Sequence, residues 1–201
     1  YTLIYSIGLV VLVGVLLSVV YQALKPMQDE NIADDKKKQI LASLNERNLA
    51  DAAAKYDELI KADYVVNADG NVVAQEGGFE VKNEEVGDDK LPLYVAKVNG
   101  ATKYIIPMTG NGLWGGIWGY IALESDMNTV AGIVLDHSGE TPGLGAEIAT
   151  PAHQAMYKGK QIFEGDEFVS VVLKKGGASE GNTHEVDAIS GGTKTCDGVN
   201  A

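Results

Sequence analysis

Hydrophobic and polar positions follow three different patterns along this chain. The first runs from Thr2 to Leu24, "TLIYSIGLVVLVGVLLSVVYQAL", where no residue carries a charge. As a helix this stretch reaches about 34 Å at about 1.5 Å per residue, enough to cross the hydrocarbon core of a bilayer. It is apolar all round rather than along one face, which sets it apart from a buried core helix. Tyr1, Tyr5 and Tyr21 fall near the two expected interfaces, where tyrosine is favoured, and Lys25-Pro26 is the expected end of the span. A cleaved signal peptide is the rival reading. Its apolar core is shorter, about 7–15 residues, and it needs a small-x-small cleavage site, which "SVVYQALKP" matches poorly. A retained anchor is therefore expected. The chain opens on Tyr1 rather than Met, and it closes on Ala201 without a stop pattern, so further residues are expected at both ends.

The second pattern is helical. Ile40, Leu41 and Leu44, then Leu49, Ala52, Tyr56, Leu59 and Ile60 recur at helical spacing among Lys, Asp, Glu and Ala. One helix continuing from the membrane and a second short one are predicted, with a break near Asn45–Asn48. The mixed charges read as solvated faces.

The third pattern is that of strands. "YVVNADGNVVA" places two apolar runs around Asp69-Gly70, and "PLYVAKVNGATKYIIPM" repeats the arrangement around Asn99-Gly100; both are hairpin signals. Ile117–Leu123 and Val130–Leu135 follow as further strands. "TPAHQAMYKGK" predicts a helix with Thr150 as cap and Pro151 in its first turn, and "EFVSVVLKK" one more strand. The fold class expected is α+β: one N-terminal transmembrane helix and a mainly antiparallel sheet with flanking helices. The expected divisions are a membrane anchor over residues 1–24, a helical stalk over 25–62 and a sheet domain over 63–201.

Composition narrows the partners. The formal net charge of −12 argues against nucleic acid or anionic lipid as a direct partner, since both need basic surface. The single cysteine, Cys196, excludes an internal disulfide and reads as a lone small hydrophobe. His137, His153 and His184 are too scattered to suggest a metal site.

Three glycine-bearing loops carry the candidate chemistry. In "TGNGLWGGIWG" Trp114 offers either a flat wall for an aromatic ligand or a core tryptophan beside a strand. "HSGETPGLGAEI" is neither a GxGxxG nor a Walker A loop, so no nucleotide-phosphate cradle of those kinds is indicated. In "DAISGGTKT" the glycine pair beside Ser190 and Thr193 exposes backbone N–H groups that form an anion-binding concavity or a plain surface turn. Lys194 and the upstream Lys174-Lys175 add positive charge there. A serine hydrolase is not indicated, because Ser190 precedes the glycines rather than sitting in a G-x-S-x-G elbow.

Taken together and in this order behind one anchor, the loops resemble those of the C subunits of sodium-translocating NADH:quinone oxidoreductases. More distantly they resemble those of the G subunits of Rnf electron-transport complexes. These families share a covalent FMN-binding domain with an attachment motif Asp-x-x-Ser/Thr-Gly-Ala-Thr, matched here by Asp187-Ala188-Ile189-Ser190-Gly191-Gly192-Thr193. The resemblance implies that FMN is joined through its phosphate to Thr193, not to Thr195. Gly192 departs from the motif, which has alanine there. "ETPGLG" matches a loop that lies against the flavin in such proteins, which implicates Glu140, Thr141 and Leu144. "GNGLWGGIWGY" resembles the first loop as it stands in the sodium-translocating enzymes, with Leu113 and Trp114 beside the flavin ring. Lys175 stands where a family lysine approaches it. Backbone of Gly143, Gly145, Gly191 and Gly192 is expected to allow close approach, with Asp187, Ser190, Lys194 and Thr195 completing the expected cofactor residues.

The resemblance further implies an electron relay within a multi-subunit sodium pump that passes electrons from NADH to quinone. The other subunits and the membrane would be its partners, along with a flavin transferase using FAD and magnesium. The location implied is the bacterial inner membrane, single-pass, with the flavin domain on the periplasmic side. No acid–base pair or nicotinamide site of the chain's own is expected. An Rnf-type flavoprotein and a cofactor-free membrane-tethered binding module are the alternatives.

Overall fold

The computed structural model describes all residues from Tyr1 to Ala201. They form two compact units, Tyr1–Lys37 and Lys38–Ala201. Helix α1 covers Thr2–Ser43, and its first part, Thr2 to Leu24, is exposed throughout. By length and composition it can cross a membrane. As expected, the helix continues from the apolar segment past Lys25-Pro26, with Pro26 inside it. A proline removes its own N–H from the ladder and crowds the carbonyl four residues back, yet here the bonds on either side carry the helix on. The stop is Asn45, in the left-handed region at φ 66°. There Glu46 N–H reaches the Leu41 carbonyl at 3.1 Å and Asn45 N–H the Ala42 carbonyl at 3.0 Å. This pair of bonds ends a helix with a residue that tolerates positive φ. The break expected at Asn45–Asn48 is therefore present. Helix α2, Ala52–Leu59, starts from Asp51, whose side chain accepts the Ala54 N–H at 2.9 Å.

The sheet has six strands: β1 Ile60–Val66, β2 Val72–Ala74, β3 Leu91–Val98, β4 Ala101–Asn111, β5 Gly116–Leu123 and β6 Val130–His137. Their order is β2-β1-β3-β4-β5-β6, and every pairing is antiparallel. Both sequence-predicted hairpins form. Asn99 and Gly100 both take positive φ, at 52° and 84°, the turn whose twist matches that of the flanking strands.

Alternation along β5 explains why the sheet is covered on both sides. Tyr120 and Ala122 point to one face, with Ile40, Leu41, Tyr56 and Leu59 of the two helices. Ile117 and Leu123 point to the other, with Ile148, Tyr157, Leu173, Val186 and Cys196. That second face is built from the C-terminal part of the chain. There α3 Pro151–Ala155 is capped by Thr150 as expected. A small hairpin joins β7 Phe163–Glu164 to β8 Glu167–Phe168, and β9 Val172–Lys174 runs parallel to β10 Glu185–Asp187.

The single strand expected over "EFVSVVLKK" is thus two strands in different sheets. Ser170 breaks it at φ 62°, a conformation no strand residue holds. The last element, α4 Thr193–Asn200, has no counterpart in the sequence-based expectations.

Candidate functional site

Three loops meet where α4 packs against the sheet. The first, 112–115, turns β4 into β5, with the Gly112 N–H bonded to the Gly115 carbonyl at 2.8 Å. It leaves Leu113 and Trp114 in solvent, Trp114 at 68 % exposure. Trp114 is therefore not a core residue. The second loop follows β6, where Leu144 and Ala146 return their N–H groups to the Thr141 carbonyl at 3.1 and 3.2 Å. Gly143 takes φ 77°, donates to Glu147 Oε1 at 3.1 Å, and leaves Leu144 exposed at the tip. The third is the Ser190-Gly191-Gly192 turn that leads into α4.

Glu140 lies behind these loops, only 5 % exposed. Its Oε1 accepts the Trp114 N–H at 2.8 Å, and its Oε2 accepts the Thr195 hydroxyl. Its own N–H goes to His137 Nδ1 at 3.1 Å. Gly112 and Gly145 have no side chain because a Cβ on either would run into this carboxylate. Burial works against the ionised form. The hydrogen bonds from Thr195 and from the Trp114 and Leu113 N–H groups outweigh it, and the pKa lies below the ordinary carboxylate value.

Thr193 and Thr195 are separated by this arrangement. Thr195 is 1 % exposed and spends its hydroxyl on Glu140. Thr193 is exposed and is the first residue of α4, after Gly192. Gly192 gives no side-chain cap, and the first helical N–H with an intrahelical partner is that of Cys196, bonded to the Gly192 carbonyl at 2.9 Å. The helix therefore presents uncapped N–H groups at its positive end, a setting that favours an anion.

A pocket of about 460 Å³ opens there, lined by Lys175, the Gly176-Gly177 turn, residues 187–191 and Thr193. Asp187 shapes it: its Oδ1 takes the Ala178 N–H at 2.7 Å and closes the turn after Lys175. Lys174 pairs with Glu185 at 3.2 Å, while Lys175 has no such partner and faces the pocket. Lys194 is exposed along α4, 3.7 Å from Asp197, and does not line the pocket. Leu144 rests directly on Gly191, whose φ of 75° and lack of Cβ allow the contact.

The structure thus brings Lys175, Asp187, Ser190, Gly191 and Thr193 together around one pocket, with Leu144 packed on Gly191. Glu140, Gly145 and Thr195 form the buried support behind it. Thr141 and Gly143 are exposed in the second loop. Sequence reading missed Gly110 and Gly198, where β4 and α4 touch backbone to backbone. A Cβ on Gly110 would sit 2.7 Å from the Gly198 carbonyl, and one on Gly198 would strike the Asn111 carbonyl. The signal available was Thr195, Cys196 and Val199, an apolar face at helical spacing.

Comparison with known proteins points to the same part of the chain. Residues 112–201, the span holding all three loops, match the family model of the FMN-binding domain. The chain is 34 % identical over 221 residues to the C subunit of the Na(+)-translocating NADH-quinone reductase of Haemophilus ducreyi, covering 96 % of this chain and 85 % of that one. The chain belongs to the C-subunit family of these reductases. Its relative from Vibrio campbellii is 46 % identical over 98 residues, a segment that covers 49 % of this chain but only 38 % of the relative. The crystal structure of the Parabacteroides distasonis member superposes with a TM-score of 0.82 at 44 % identity, over 88 % of this chain and 89 % of that one. Of the two families that the loops resemble, these matches are to the sodium-translocating reductases rather than to the Rnf complexes.

Proposed function

We propose that this chain is the membrane-anchored flavoprotein subunit of a sodium-translocating NADH:quinone oxidoreductase, with FMN held through a phosphoester on Thr193. The observation that carries the reading is the contrast on α4. Thr193 is exposed at the uncapped helix end and lines a pocket shared with Lys175, whereas Thr195 is buried and already bonded to Glu140. A phosphate on Thr193 would meet the free N–H groups of the helix and the Lys175 ammonium. Attachment forms a bond from Thr193 Oγ to the phosphorus of the FMN half of FAD. The P–O bond to AMP breaks, AMP leaves, and the threonine proton passes to water; a flavin transferase with magnesium catalyses the exchange.

FMN then supplies electron transfer. The chain's residues hold it: Leu113, Trp114 and Leu144 offer exposed apolar surface for a ring, and the turn at Gly191 keeps the approach to Thr193 open. The apolar part of α1 supports a single-pass anchor in the inner membrane. The place among the other subunits and the periplasmic side for the flavin domain are what the family resemblance implies.

The test is co-expression with a flavin transferase followed by intact mass. The wild type gains one FMN unit and shows a fluorescent band on a denaturing gel. An unmodified wild type overturns the flavoprotein reading, and a labelled Thr193→Ala variant overturns the assignment of the acceptor.

A further inference from the structure

One buried side chain joins two parts of the site that are far apart in sequence. Glu140 takes the Trp114 N–H with one carboxylate oxygen and the Thr195 hydroxyl with the other. Trp114 belongs to the turn between β4 and β5, while Thr195 lies two residues beyond Thr193 on α4. No lysine, arginine or histidine forms an ion pair with this carboxylate. It is held chiefly by hydrogen bonds, with the neighbouring His137 ring adding a weaker charge interaction, and a half-satisfied buried carboxylate is costly, so each bond depends on the other. Gly112 and Gly145 are shaped around it.

We propose that Glu140 is a positioning residue: its buried carboxylate locks the Trp114 turn to the helix that carries the attachment threonine, and fixes a negative charge between them. Its carboxylate contacts Trp114 and Thr195 and is not part of the pocket lining. This rests on the flavoprotein reading for what the site holds, but the coupling itself belongs to the protein alone. A break made on the helix side is transmitted to the turn, which the substituted residue does not touch. A fixed negative charge near a flavin opposes the arrival of electrons, so neutralising it makes the flavin easier to reduce.

The experiment uses the full chain in detergent and two readouts. Hydrogen exchange on the flavin-free protein follows the Leu113 and Trp114 N–H groups in Thr195→Val and Thr195→Ser. Thr195→Val speeds their exchange roughly tenfold or more, the scale set by losing a hydrogen bond to a charged partner, and Thr195→Ser restores the wild-type rate. Unchanged exchange in Thr195→Val overturns the coupling. The second readout is the midpoint potential of the flavin-loaded chain. Glu140→Gln keeps an acceptor for the Trp114 N–H but removes the charge, and shifts the potential upward. A purely structural role leaves it unmoved, and that result overturns the electrostatic part. If the wild type takes up no flavin, the proposed function fails, while the exchange comparison still decides the coupling.

Discussion

Thr193 and Thr195 are two residues apart on one short helix and have opposite surroundings. Thr193 meets solvent and uncapped backbone N–H groups and shares a pocket with Lys175; Thr195 meets a buried carboxylate and the core. A step of two residues on a helix turns a side chain by about 200°, so two identical side chains at this spacing face opposite ways. The difference between them lies in what the helix end and the sheet offer each one. Exposure at a charged helix terminus leaves the Thr193 hydroxyl accessible, and burial against a partner gives Thr195 a supporting place.

The comparison can be broken first at the exposed member. Thr193→Ala is expected to lose covalent flavin completely while keeping the melting temperature of the wild type, since the side chain is exposed; intact mass and differential scanning calorimetry read the two halves separately. Thr195→Val is expected to do the reverse. That variant still takes up flavin but loses about 1.5–3 kcal/mol of stability in urea titration, because the Glu140 carboxylate loses a donor. Gly191→Ala attacks the turn beside them. Its φ of 75° alone costs about 1–2 kcal/mol for an L residue. Leu144 must also move, because its Cδ2 lies 2.6 Å from where the methyl would be. Lower stability together with slower flavin incorporation is the result expected from denaturation and mass time courses.

Acid sharpens the comparison further. Burial lowers the His153 pKa from its ordinary 6.5. The unfolded chain therefore takes the proton first, and stability is complete above about pH 6.5 and declines below it. Glu140 has a pKa below its ordinary 4.5, so its contribution is complete above about pH 4.5 and is lost as the pH falls further. Urea midpoints from pH 7.5 to 3.5 should fall in two stages, and Thr195→Val should flatten the second. The smallest effect is expected at Gly192, where the attachment motif has alanine. A Cβ there would lie 3.0 Å from Ile189 Cγ2, and the backbone φ of −100° suits any residue. Gly192→Ala should cost about 1 kcal/mol, with Ile189 yielding by a few tenths of an ångström.

Much of the sheet was legible because its signals are local. Alternation along Ile117–Leu123 and the turns at Asp69-Gly70 and Asn99-Gly100 depend on neighbours in sequence, as does the Thr150 cap. Errors arose where a decision is made at a distance or by one residue's backbone. Ser170 is an ordinary serine in an apolar run, and only its positive φ divides β8 from β9. Helix α4 was hidden because its glycine at 198 reads as a breaker, whereas that glycine is there for contact with β4. The candidate site was legible as motifs, but the division of its residues between pocket and support was not. Burial of Glu140 depends on a hydroxyl 55 positions away, and no spacing rule reports such a pairing.

The contact between Gly110 and Gly198 has a mechanical consequence. Where two elements meet through side chains, rotamer changes absorb small displacements. Here main chain bears on main chain, and such a joint has almost no compliance. A displacement of the end of β4 is therefore expected to pass into α4 and the pocket beside it. The sheet and α4 should move as one mount, leaving adjustment of the site to its exposed loops.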